Sequence, residues 1–557
     1  MLTNIDKSIL KQSKAIYWVR QLVGVGKRDL EDISNIIQKD HPEIDWNNEN
    51  KNNLLGIIYG ILNPIPRPKT YLEDEPQIMD VYEKGSTYNV DIPLDELDVC
   101  REETLKYIAM KDRERASELL VELVIKNKHI YTTRSDEKPE MWIYCDGIYI
   151  PEGKTYVKEV CRVILGDFYT THLVNLVIGK IETDTYVNFN DFFKVQNINE
   201  IAINNGILDL TTREVTPFNP EKIFFNKVPV DYNKDAVCPS IEQHFKTVLK
   251  HEDDLSVVWE IFGFCLKKEY FIEKAIMFVG DGRNGKGKSV ELLKLFLGSE
   301  NCANVPLQQL ESDNFAAVEL FHKMANISAD LDSKALKRTG YFKSLTGRDM
   351  ISAPRKFLPR VHFVNFAKMI FCANELPRTY DTTPAFWHRW ILLEFPFTFV
   401  TQAEIDQNND GTMLKIKNPD IMTTLTTPQE LSGLLNKALD GLERMVKNHS
   451  FSYSKNTEEV KTLWIRKSDS FSAFLMDMII EDYDSKISKK EMRRQYSAYC
   501  KRHKLKTVSD KSIRASLSDL GVVDDIFRED YNNISYWDGI KFKGGKIAEM
   551  GHGFNDI

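Results

Sequence analysis

The sequence lacks the features that mark a membrane-spanning or secreted chain. It contains no run of about eighteen apolar residues, so no transmembrane helix is expected. Its amino-terminal segment, MLTNIDKSILKQSK, has no apolar core of the kind that a signal peptide requires. The eight cysteines are far apart and form no CxxC pair, which indicates neither a disulfide framework nor a zinc site. We therefore expect an intracellular, cytoplasmic protein without a membrane partner.

The first part of the chain also lacks the residues for polymerising nucleotides. Such a site would need a carboxylate pair such as D-x-D together with a partner histidine. Residues 1–200 contain acids, among them Asp95, Glu96 and Asp98, but no D-x-D pair and no convincing constellation. We therefore predict that this chain does not synthesise primers.

The residues that are present are typical of a large globular protein. The chain has 557 residues, of which 42% are hydrophobic and 28% are charged. The hydrophobic pattern predicts a multidomain α/β protein. Its five predicted parts are a mainly helical region of unknown role (1–114), a mixed α/β domain (115–240), a nucleotide-binding core (241–400), a helical lid and linker (401–460) and a carboxyl-terminal domain (461–557).

The most informative segment, Ala275 to Val290, reads AIMFVGDGRNGKGKSV. It consists of a short apolar run, a glycine- and lysine-rich loop and an amphipathic helix. This order builds a phosphate cradle, because glycines let backbone amides face an anion and a helix amino terminus favours negative charge. The segment therefore predicts that the chain binds ATP.

The loop fits the phosphate-binding pattern in two overlapping registers. In the first, Gly282 to Ser289 gives G-x-x-x-x-G-K-[ST], with Lys288 on the phosphates and Ser289 on magnesium. In the second, Lys286 is the phosphate lysine and Gly287 stands where a hydroxyl residue is usual. The residues expected to bind ATP are Gly280, Gly282, Asn284, Gly285, Lys286, Gly287, Lys288 and Ser289.

Hydrolysis needs further groups, and candidates follow the loop in a suitable order. An acid should hold magnesium and polarise water, a polar side chain should sense the γ-phosphate, and an arginine should neutralise developing charge. Asp330 and Asp332 end one predicted strand, Asn374 ends another, and Arg389 precedes a third. Each could be an ordinary turn or surface residue. Together with the loop they predict an ATPase core.

Two basic stretches stand out in a chain whose net charge is −8. Residues 334–368 hold nine Lys/Arg and one acid, and residues 486–514 hold eleven Lys/Arg and two acids. A charge run is usually a solvated face, but two such stretches in an acidic chain favour contact with a phosphate backbone.

The chain contains the motifs NNGILDL at 204–210, GDGRNGKG at 280–287, FKSLTGRDMI at 342–351, ANELP at 373–377 and AFWHRW at 385–390. In these motifs it resembles superfamily 3 helicases, in particular the poxvirus-type and phage/plasmid-type primase-helicases. The resemblance covers roughly residues 115–545. It implies an AAA+-like P-loop ATPase core followed by a winged-helix-like domain, without a recognisable primase domain.

The resemblance implies roles for the residues that follow the loop. Asp330 and Asp332 would handle magnesium and the attacking water, and Asn374 would be the sensor. Arg389 would be an arginine finger acting on ATP bound by the neighbouring subunit, which requires a ring, in this family typically a hexamer. Relatives carry G-x-G-x-N-G-K, which favours Lys286 as the phosphate lysine, as does the strand that abuts the loop. Only the other register supplies a hydroxyl.

The resemblance also implies two DNA-binding elements. A hairpin at 350–366 would grip phosphates in the central channel without reading bases, and a helix at 509–520 would enter the major groove. The expected contacts are Arg355, Lys356 and Arg360 on the hairpin and Lys511 and Arg514 on the helix. A solvated surface hairpin and a protein-binding winged helix remain the alternatives.

The leading hypothesis is an ATP- and Mg²⁺-dependent, ring-forming DNA helicase for replication of a virus, plasmid or other mobile element. It would translocate on single-stranded DNA, act on forked DNA, and work with a separate primase or polymerase. If the source is viral, we expect it in the host-cell cytoplasm. The alternatives are a primase-helicase and a non-catalytic ATP-binding origin or assembly protein.

Overall fold

The computed structural model describes residues 38, 39, 42 and 90–544, except for 136–137, 195–196, 314, 330, 332–334, 357, 407–412, 504 and 530–531. Most of the predicted amino-terminal region, 1–114, therefore lies outside the described residues. Within the described part, no helix is long and apolar enough to cross a membrane. The chain divides into two compact units, Met1–Gln196 with Phe218–Phe225, and Asn197–Pro217 with Asn226–Ile557.

The first unit packs helices against a small four-stranded sheet. Its elements are α1 (Leu94–Ala109), α2 (Arg113–Asn127), β1 (Ile130–Thr133), β2 (Met141–Cys145), β3 (Ile148–Ile150), α3 (Gly153–Leu165), α4 (Thr171–Asp184), β4 (Tyr186–Val187) and α5 (Phe189–Phe192). The strand order is β3-β2-β1-β4. Met141 and Ile143 alternate with aromatic residues along β2 and join the core that α1 to α4 form.

The second unit begins with a four-stranded sheet in the order β7-β6-β5-β8. Its strands are β5 (Glu200–Ile203), β6 (Gly206–Asp209), β7 (Val215–Thr216) and β8 (Lys227–Val228). The Asn-Asn-Gly sequence at 204–206 forms the tight turn of the β5–β6 hairpin. Gly206 is needed there, since a Cβ at this position would lie 2.5 Å from the Thr216 carbonyl oxygen.

The centre of the second unit is a five-stranded parallel sheet, and a hairpin extends beside it. The strands are β9 (Ala275–Val279), β10 (Cys302–Ala303), β11 (Ala325–Ser328), β12 (Met350–Arg355), β13 (Leu358–Val364), β14 (Lys368–Ala373) and β15 (Trp390–Glu394). The sheet order is β10-β11-β14-β9-β15, and every pair is parallel. The carboxyl ends of β9, β11, β14 and β15 therefore lie at one edge of the sheet. β12 and β13 form the predicted hairpin as a separate antiparallel pair.

Helices surround this sheet. They are α6 (Pro239–Val248), α7 (Asp254–Leu266), α8 (Lys286–Leu297), α9 (Leu307–Ser312), α10 (Gly340–Thr346), α11 (Pro384–Trp387), α12 (Gln402–Asp406), α13 (Ile421–Leu425) and α14 (Pro428–Asn448), with the parallel pair β16 (Thr398–Val400) and β17 (Leu414–Ile416). Helices α7 and α14 pack closely because glycines face the partner backbone. A Cβ at Gly263 would lie 2.2 Å from the Ala438 carbonyl oxygen, and one at Gly441 would lie 2.6 Å from that of Trp259.

Replacing Gly441 by alanine should therefore destabilise the fold. The added methyl would force α7 and α14 apart, and overpacking of this kind costs about 1–3 kcal/mol. Chemical denaturation of the full chain measures the free energy of unfolding. The control is Gly179→Ala in α4, where a Cβ meets nothing within 4 Å and the better helix propensity should leave stability unchanged or raise it by up to about 1 kcal/mol. Equal stability of the two variants would contradict the close packing.

A lysine is buried at the start of β14. Lys368 is fully buried, and its Nζ donates to the carbonyl oxygens of Lys267 and Phe366, each at 2.7 Å. The ammonium also lies 4.8 Å from the ring centroid of Phe264. Burial lowers the pKa of Lys368 to about 7.

The stability that Lys368 contributes should depend on pH. Between about pH 7 and its ordinary pKa of 10.5, the unfolded chain holds a proton on this lysine that the folded chain has lost. The free energy of unfolding should therefore rise with pH across this window. Lys368→Met has no such proton, so the wild-type value minus the variant value, from urea titrations at pH 7 to 10, should increase with pH. A difference that falls with pH would mean that the fold prefers the ammonium form.

The carboxyl-terminal part of the second unit combines helices with a three-stranded antiparallel sheet in the order β18-β20-β19. The elements are α15 (Thr457–Ser468), α16 (Ser470–Met478), β18 (Ile479–Ser488), α17 (Lys489–Arg502), α18 (Asp510–Asp519), β19 (Val523–Glu529) and β20 (Asn532–Phe542). Side chains such as Phe474, Ile487, Leu517 and Ile540 form the core that α16, α17 and α18 share with the sheet.

The helix predicted at 509–520 is confirmed as α18. Ser509 is the N-cap of α18, and its Oγ accepts a hydrogen bond from the Ser512 amide at 3.4 Å. The sequence does not reveal β19, which pairs with β20 from Val523 onward. The acidic residues of β19 conceal its strand pattern.

Candidate functional site

The glycine-rich loop, residues 280–285, joins β9 to α8 at the carboxyl edge of the parallel sheet. A Cβ at Gly280 would lie 2.3 Å from the Phe395 carbonyl oxygen, so the loop can approach that backbone only with glycine. Gly285, the N-cap of α8, has a φ of +91°, a conformation that glycine adopts without strain. Asn284 fixes the loop, because its Nδ2 donates to the Phe395 carbonyl at 3.1 Å and its Oδ1 accepts from the first amide of α8 at 3.2 Å.

Lys286, the first residue of α8, turns its amine toward the loop. It is largely buried. Its Nζ donates to the carbonyl oxygens of Gly280 and Asp281, the latter at 3.2 Å, and to Asn374 Oδ1 at 3.0 Å. Asn374 follows β14, which pairs directly with β9. The fold thus brings together two residues that lie 88 positions apart in the sequence.

Lys288 occupies a different environment. Its side chain is about half exposed, and its Nζ forms an ion pair with Glu291 Oε2 at 2.8 Å along the surface of α8. Of the two lysines that the sequence leaves open, Lys286 is the one that contacts the loop carbonyls and Asn374.

Ser289 lies one turn further along α8, with its hydroxyl in hydrogen bonds. It is buried, and its Oγ lies 3.2 Å from the Gly285 carbonyl oxygen and 3.2 Å from His244 Nε2. Burial lowers the pKa of His244 to about 4, so this imidazole is neutral near pH 7. Sequence reasoning missed His244, because no motif connects it to the loop.

The predicted acids, Asp330 and Asp332, lie outside the described residues. Strand β11 ends at Ser328 between β10 and β14, and the Leu331 amide donates to the Cys372 carbonyl at 2.9 Å. Leu331 therefore lies beside β14, near the edge of the sheet that carries the loop.

Arg389 lies at the opposite edge. It directly precedes β15, whose first residue pairs with Ala275, the first residue of β9. Its side chain is only 12% exposed and forms an ion pair with Glu273 Oε2 at 2.6 Å. The guanidinium also donates to Thr346 Oγ1 at 2.9 Å and to the Ala385 carbonyl at 2.6 Å. Within one chain the structure does not bring Arg389 to the loop.

The β12–β13 hairpin carries the three basic residues predicted for it near its tip. Lys356 and Arg360 are exposed, and Arg355 is half-buried. Arg355 Nε donates to the Pro359 carbonyl at 3.2 Å, and Arg360 Nε donates to Ser352 Oγ at 3.1 Å. The hairpin thus carries positive charge near its tip, and hydrogen bonds within the hairpin hold the two arginine side chains in place.

Helix α18 carries the two basic residues predicted to meet DNA, but its surroundings are mixed in charge. Lys511 and Arg514 are exposed. Arg514 Nη2 lies 3.5 Å from Asp524 Oδ2, and Arg493 of α17 pairs with Asp510 at 2.6 Å. Part of the positive charge in the second basic stretch is therefore neutralised within the fold.

An open cavity of about 720 Å³ adjoins the loop on the side of α6. Gly285 and Lys288 line it from the loop and α8, and Phe399, Ile416 and Asn418 line it from the segment after β15.

An ion pair ties that segment to the loop. Arg283 Nη2 lies 2.9 Å from each carboxylate oxygen of Glu404. Hydrogen bonds from the Thr401 amide and from Arg283 lower the pKa of Glu404 to about 2.

Two family models match parts of the chain. Residues 102–250 match the family described as D5 N terminal like, and residues 278–389 match a family described as of unknown function, DUF5906. The second range contains the loop, Asn374, the hairpin and Arg389. The candidate residues of α18 lie outside both.

Two viral proteins are similar to the chain at low identity. "Putative helicase L207/L206" of Acanthamoeba polyphaga mimivirus is 22% identical over 292 residues, which cover 50% of this chain and 30% of that protein. "Putative helicase V13" of Sputnik virophage is 22% identical over 300 residues, which cover 51% of this chain and 37% of that protein. The chain thus spans about a third of the length of these relatives.

Solved structures also align with the chain. One, of the NrS-1 C-terminal region, has a TM-score of 0.41 at 12% identity and covers 75% of this chain and 99% of that one. Another, of JCV helicase, has a TM-score of 0.20 at 14% identity. The alignment covers 47% of this chain and 64% of that one.

Proposed function

We propose that this chain is an ATP-driven, ring-forming DNA helicase that moves along single-stranded DNA during replication of a virus, plasmid or other mobile element. The observation that carries the proposal is the contact of Lys286 with the loop carbonyls and Asn374 at the carboxyl edge of a parallel sheet. The similarity to viral proteins named as helicases supports it. The proposed fold is an AAA+-like P-loop core with a winged-helix-like domain after it.

The phosphates of ATP would occupy the loop. Gly280 and Gly285 let the backbone curve around an anion, and α8 directs its amino terminus at the same place. Lys286 would exchange its carbonyl partners for phosphate oxygens, a stronger, charge-assisted interaction. Asn374, 3.0 Å from that amine, would then stand beside the terminal phosphate as the sensor.

The nucleoside would occupy the cavity beside the loop. Apolar surface from Phe399 and Ile416 suits a base, and the amide of Asn418 can hydrogen-bond its edge. Lys288 lines the same cavity, so its proposed position is near the nucleoside end rather than the terminal phosphate. Sequence reasoning did not find this cavity, because its walls come from separate parts of the chain.

Magnesium would bind with the nucleotide and neutralise phosphate charge during hydrolysis. Of its proposed ligands, only Ser289 lies among the described residues, and its hydroxyl is already bonded to Gly285 and His244. Within the described part, no three His, Cys, Asp or Glu side chains cluster closely enough to hold a metal. The proposed metal site therefore depends chiefly on Asp330 and Asp332.

The position of Arg389 supports the proposed ring. β9 has five residues, so the two edges of the sheet are roughly 17 Å apart. Arg389 would act on ATP bound by a neighbouring subunit rather than by its own chain. In such a ring, the hairpins with Arg355, Lys356 and Arg360 would line the channel and hold the DNA backbone.

ATP turnover tests the proposal directly. The full chain should hydrolyse ATP, single-stranded DNA should stimulate the rate, and a forked duplex should be unwound. Phosphate release with and without an oligonucleotide measures the first two, and strand separation on a labelled fork measures the third. ATP binding without turnover under either condition would overturn the helicase proposal.

That outcome would favour the second candidate, a non-catalytic ATP-binding origin or assembly protein. Two observations favour it. Gly287 follows the loop lysine where a hydroxyl residue is usual, and the nearby hydroxyl of Ser289 has other partners. Such a protein should bind ATP and assemble with DNA but release no phosphate.

A further inference from the structure

Residues 374–378, the segment that follows β14, contact both the loop and the carboxyl-terminal part of the second unit. At one end, Asn374 Oδ1 accepts from Lys286 Nζ at 3.0 Å. Two residues on, the Leu376 amide donates to the Lys467 carbonyl of α15 at 3.2 Å. The Pro377 carbonyl accepts from Trp464 Nε1, also on α15, at 2.8 Å.

Arg378 is the last residue of this segment, and its guanidinium contacts two further helices. Its Nη2 forms an ion pair with Asp469 Oδ1 at 2.8 Å, and its Nη1 donates to Ser512 Oγ at 2.9 Å. Asp469 is the largely buried N-cap of α16. Ser512 lies on α18, beside the exposed Lys511.

The attachment at α15 is closely packed. Trp464 is fully buried, and its ring lies 4.9 Å from that of Trp390, the first residue of β15. A segment of five residues held at both ends has little freedom to absorb a movement of Asn374. A displacement at the loop would therefore reach Arg378 and the helices that it holds.

We infer that Arg378 is a positioning residue that couples nucleotide at the loop to the orientation of α18, and so to DNA binding by the carboxyl-terminal domain. The inference rests on the proposed function, because it requires nucleotide at the loop. When phosphate takes Lys286, Asn374 loses its present partner and can shift. The series from Leu376 to Arg378 then passes that shift to Ser512. By reciprocity, DNA on α18 changes the affinity for nucleotide by the same factor.

The test compares DNA affinity with and without a non-hydrolysable ATP analogue. Fluorescence anisotropy with a labelled DNA duplex, which offers α18 a major groove, gives Kd for the full chain in each state, and the ratio of the two values measures the coupling. For the wild type we expect a ratio that differs from one by about fivefold or more. For Arg378→Ala we expect a ratio within about twofold of one, with analogue affinity also within about twofold of the wild type.

Milder variants separate coupling from folding. Ser512→Ala removes only the contact to α18, and Arg378→Lys can keep the ion pair with Asp469 but cannot bridge both helices. Both variants should bring the ratio of the two Kd values closer to one without changing the melting temperature. Arg494→Ala removes an equal charge from exposed α17, where the side chain pairs within its own helix with Glu491, and should keep the wild-type ratio.

Direct analogue binding distinguishes the two possible failures. If the chain binds no nucleotide, the proposed function fails and this inference with it. If the chain binds nucleotide but the wild-type ratio is one, or Ser512→Ala and Arg378→Lys both keep the full ratio, Arg378 does not couple the sites and the inference alone is overturned.

Discussion

Lys286→Ala should reduce ATP turnover by about 100-fold or more, whereas Lys288→Ala should leave it within about threefold of the wild type. The reason is the position of each amine. Lys286 Nζ lies among the loop carbonyls and 3.0 Å from Asn374, where charge on a transferring phosphate would develop. Lys288 is paired with Glu291 on the helix surface. Steady-state phosphate release at saturating ATP and single-stranded DNA measures both variants.

The two variants are matched controls for each other, since each removes one lysine from the same turn of α8. Thermal unfolding should show that both are folded. Lys286→Ala leaves the Gly280 carbonyl and Asn374 without this partner, so a modest loss of stability is expected there. The opposite pattern, an inactive Lys288→Ala and an active Lys286→Ala, would assign the phosphates to the other register.

Features encoded by local pattern could be predicted from the sequence. The strand, glycine loop and helix around Lys286, the β12–β13 hairpin and the N-cap Ser509 each depend on residues close together in the chain. Local spacing left Lys286 and Lys288 both open, although the strand that abuts the loop and the family resemblance favoured Lys286. Both satisfy a spacing pattern, and only the path of the backbone decides which amine meets Asn374.

Contacts between distant parts of the chain explain what sequence reasoning missed. Ser289 and His244 are 45 residues apart, Arg283 and Glu404 are 121 apart, and Arg378 and Ser512 are 134 apart. No periodicity links such partners, and each residue alone is of a common surface type.

Counting charges along the chain had a related weakness. It identified the basic stretch at 486–514 correctly but could not show its ion pairs. Arg493 is paired with Asp510 from the same stretch, whereas Arg514 lies near Asp524, which follows it in sequence. Both stretches still expose basic side chains, among them Lys356 on the hairpin and Lys511 on α18, so both remain candidates for contact with a phosphate backbone.

Arg389→Ala should reduce ATP turnover by about 1000-fold and leave ATP affinity within about threefold of the wild type. An arginine that acts on the transferring phosphate stabilises charge that develops only during reaction, so its loss affects kcat far more than binding. Measuring phosphate release and analogue binding for the same variant tests whether kcat falls while ATP affinity is kept.

The structure also offers a purely structural role for Arg389, and the experiment must separate the two. In a single chain the guanidinium is bonded to Glu273, Thr346 and Ala385. To reach a neighbour's ATP it would exchange Glu273, whose side chain is about half exposed, for phosphate. Glu273→Ala removes the same ion pair but keeps the arginine. Because the contacts to Thr346 and Ala385 remain, this variant should be at least as stable as Arg389→Ala, and it should retain most of the ATP turnover.

Mixing two inactive variants decides whether Arg389 acts between subunits. In a mixed ring, the Lys286→Ala chains still carry Arg389 and the Arg389→Ala chains still carry Lys286. An interface is intact when a chain of the first kind supplies Arg389 to ATP bound by a chain of the second kind. Random assembly of equal amounts makes about a quarter of the interfaces intact, so turnover should reappear in the mixture. If Arg389 served only its own chain, no mixed interface would combine both residues, and the mixture would be as inactive as its components.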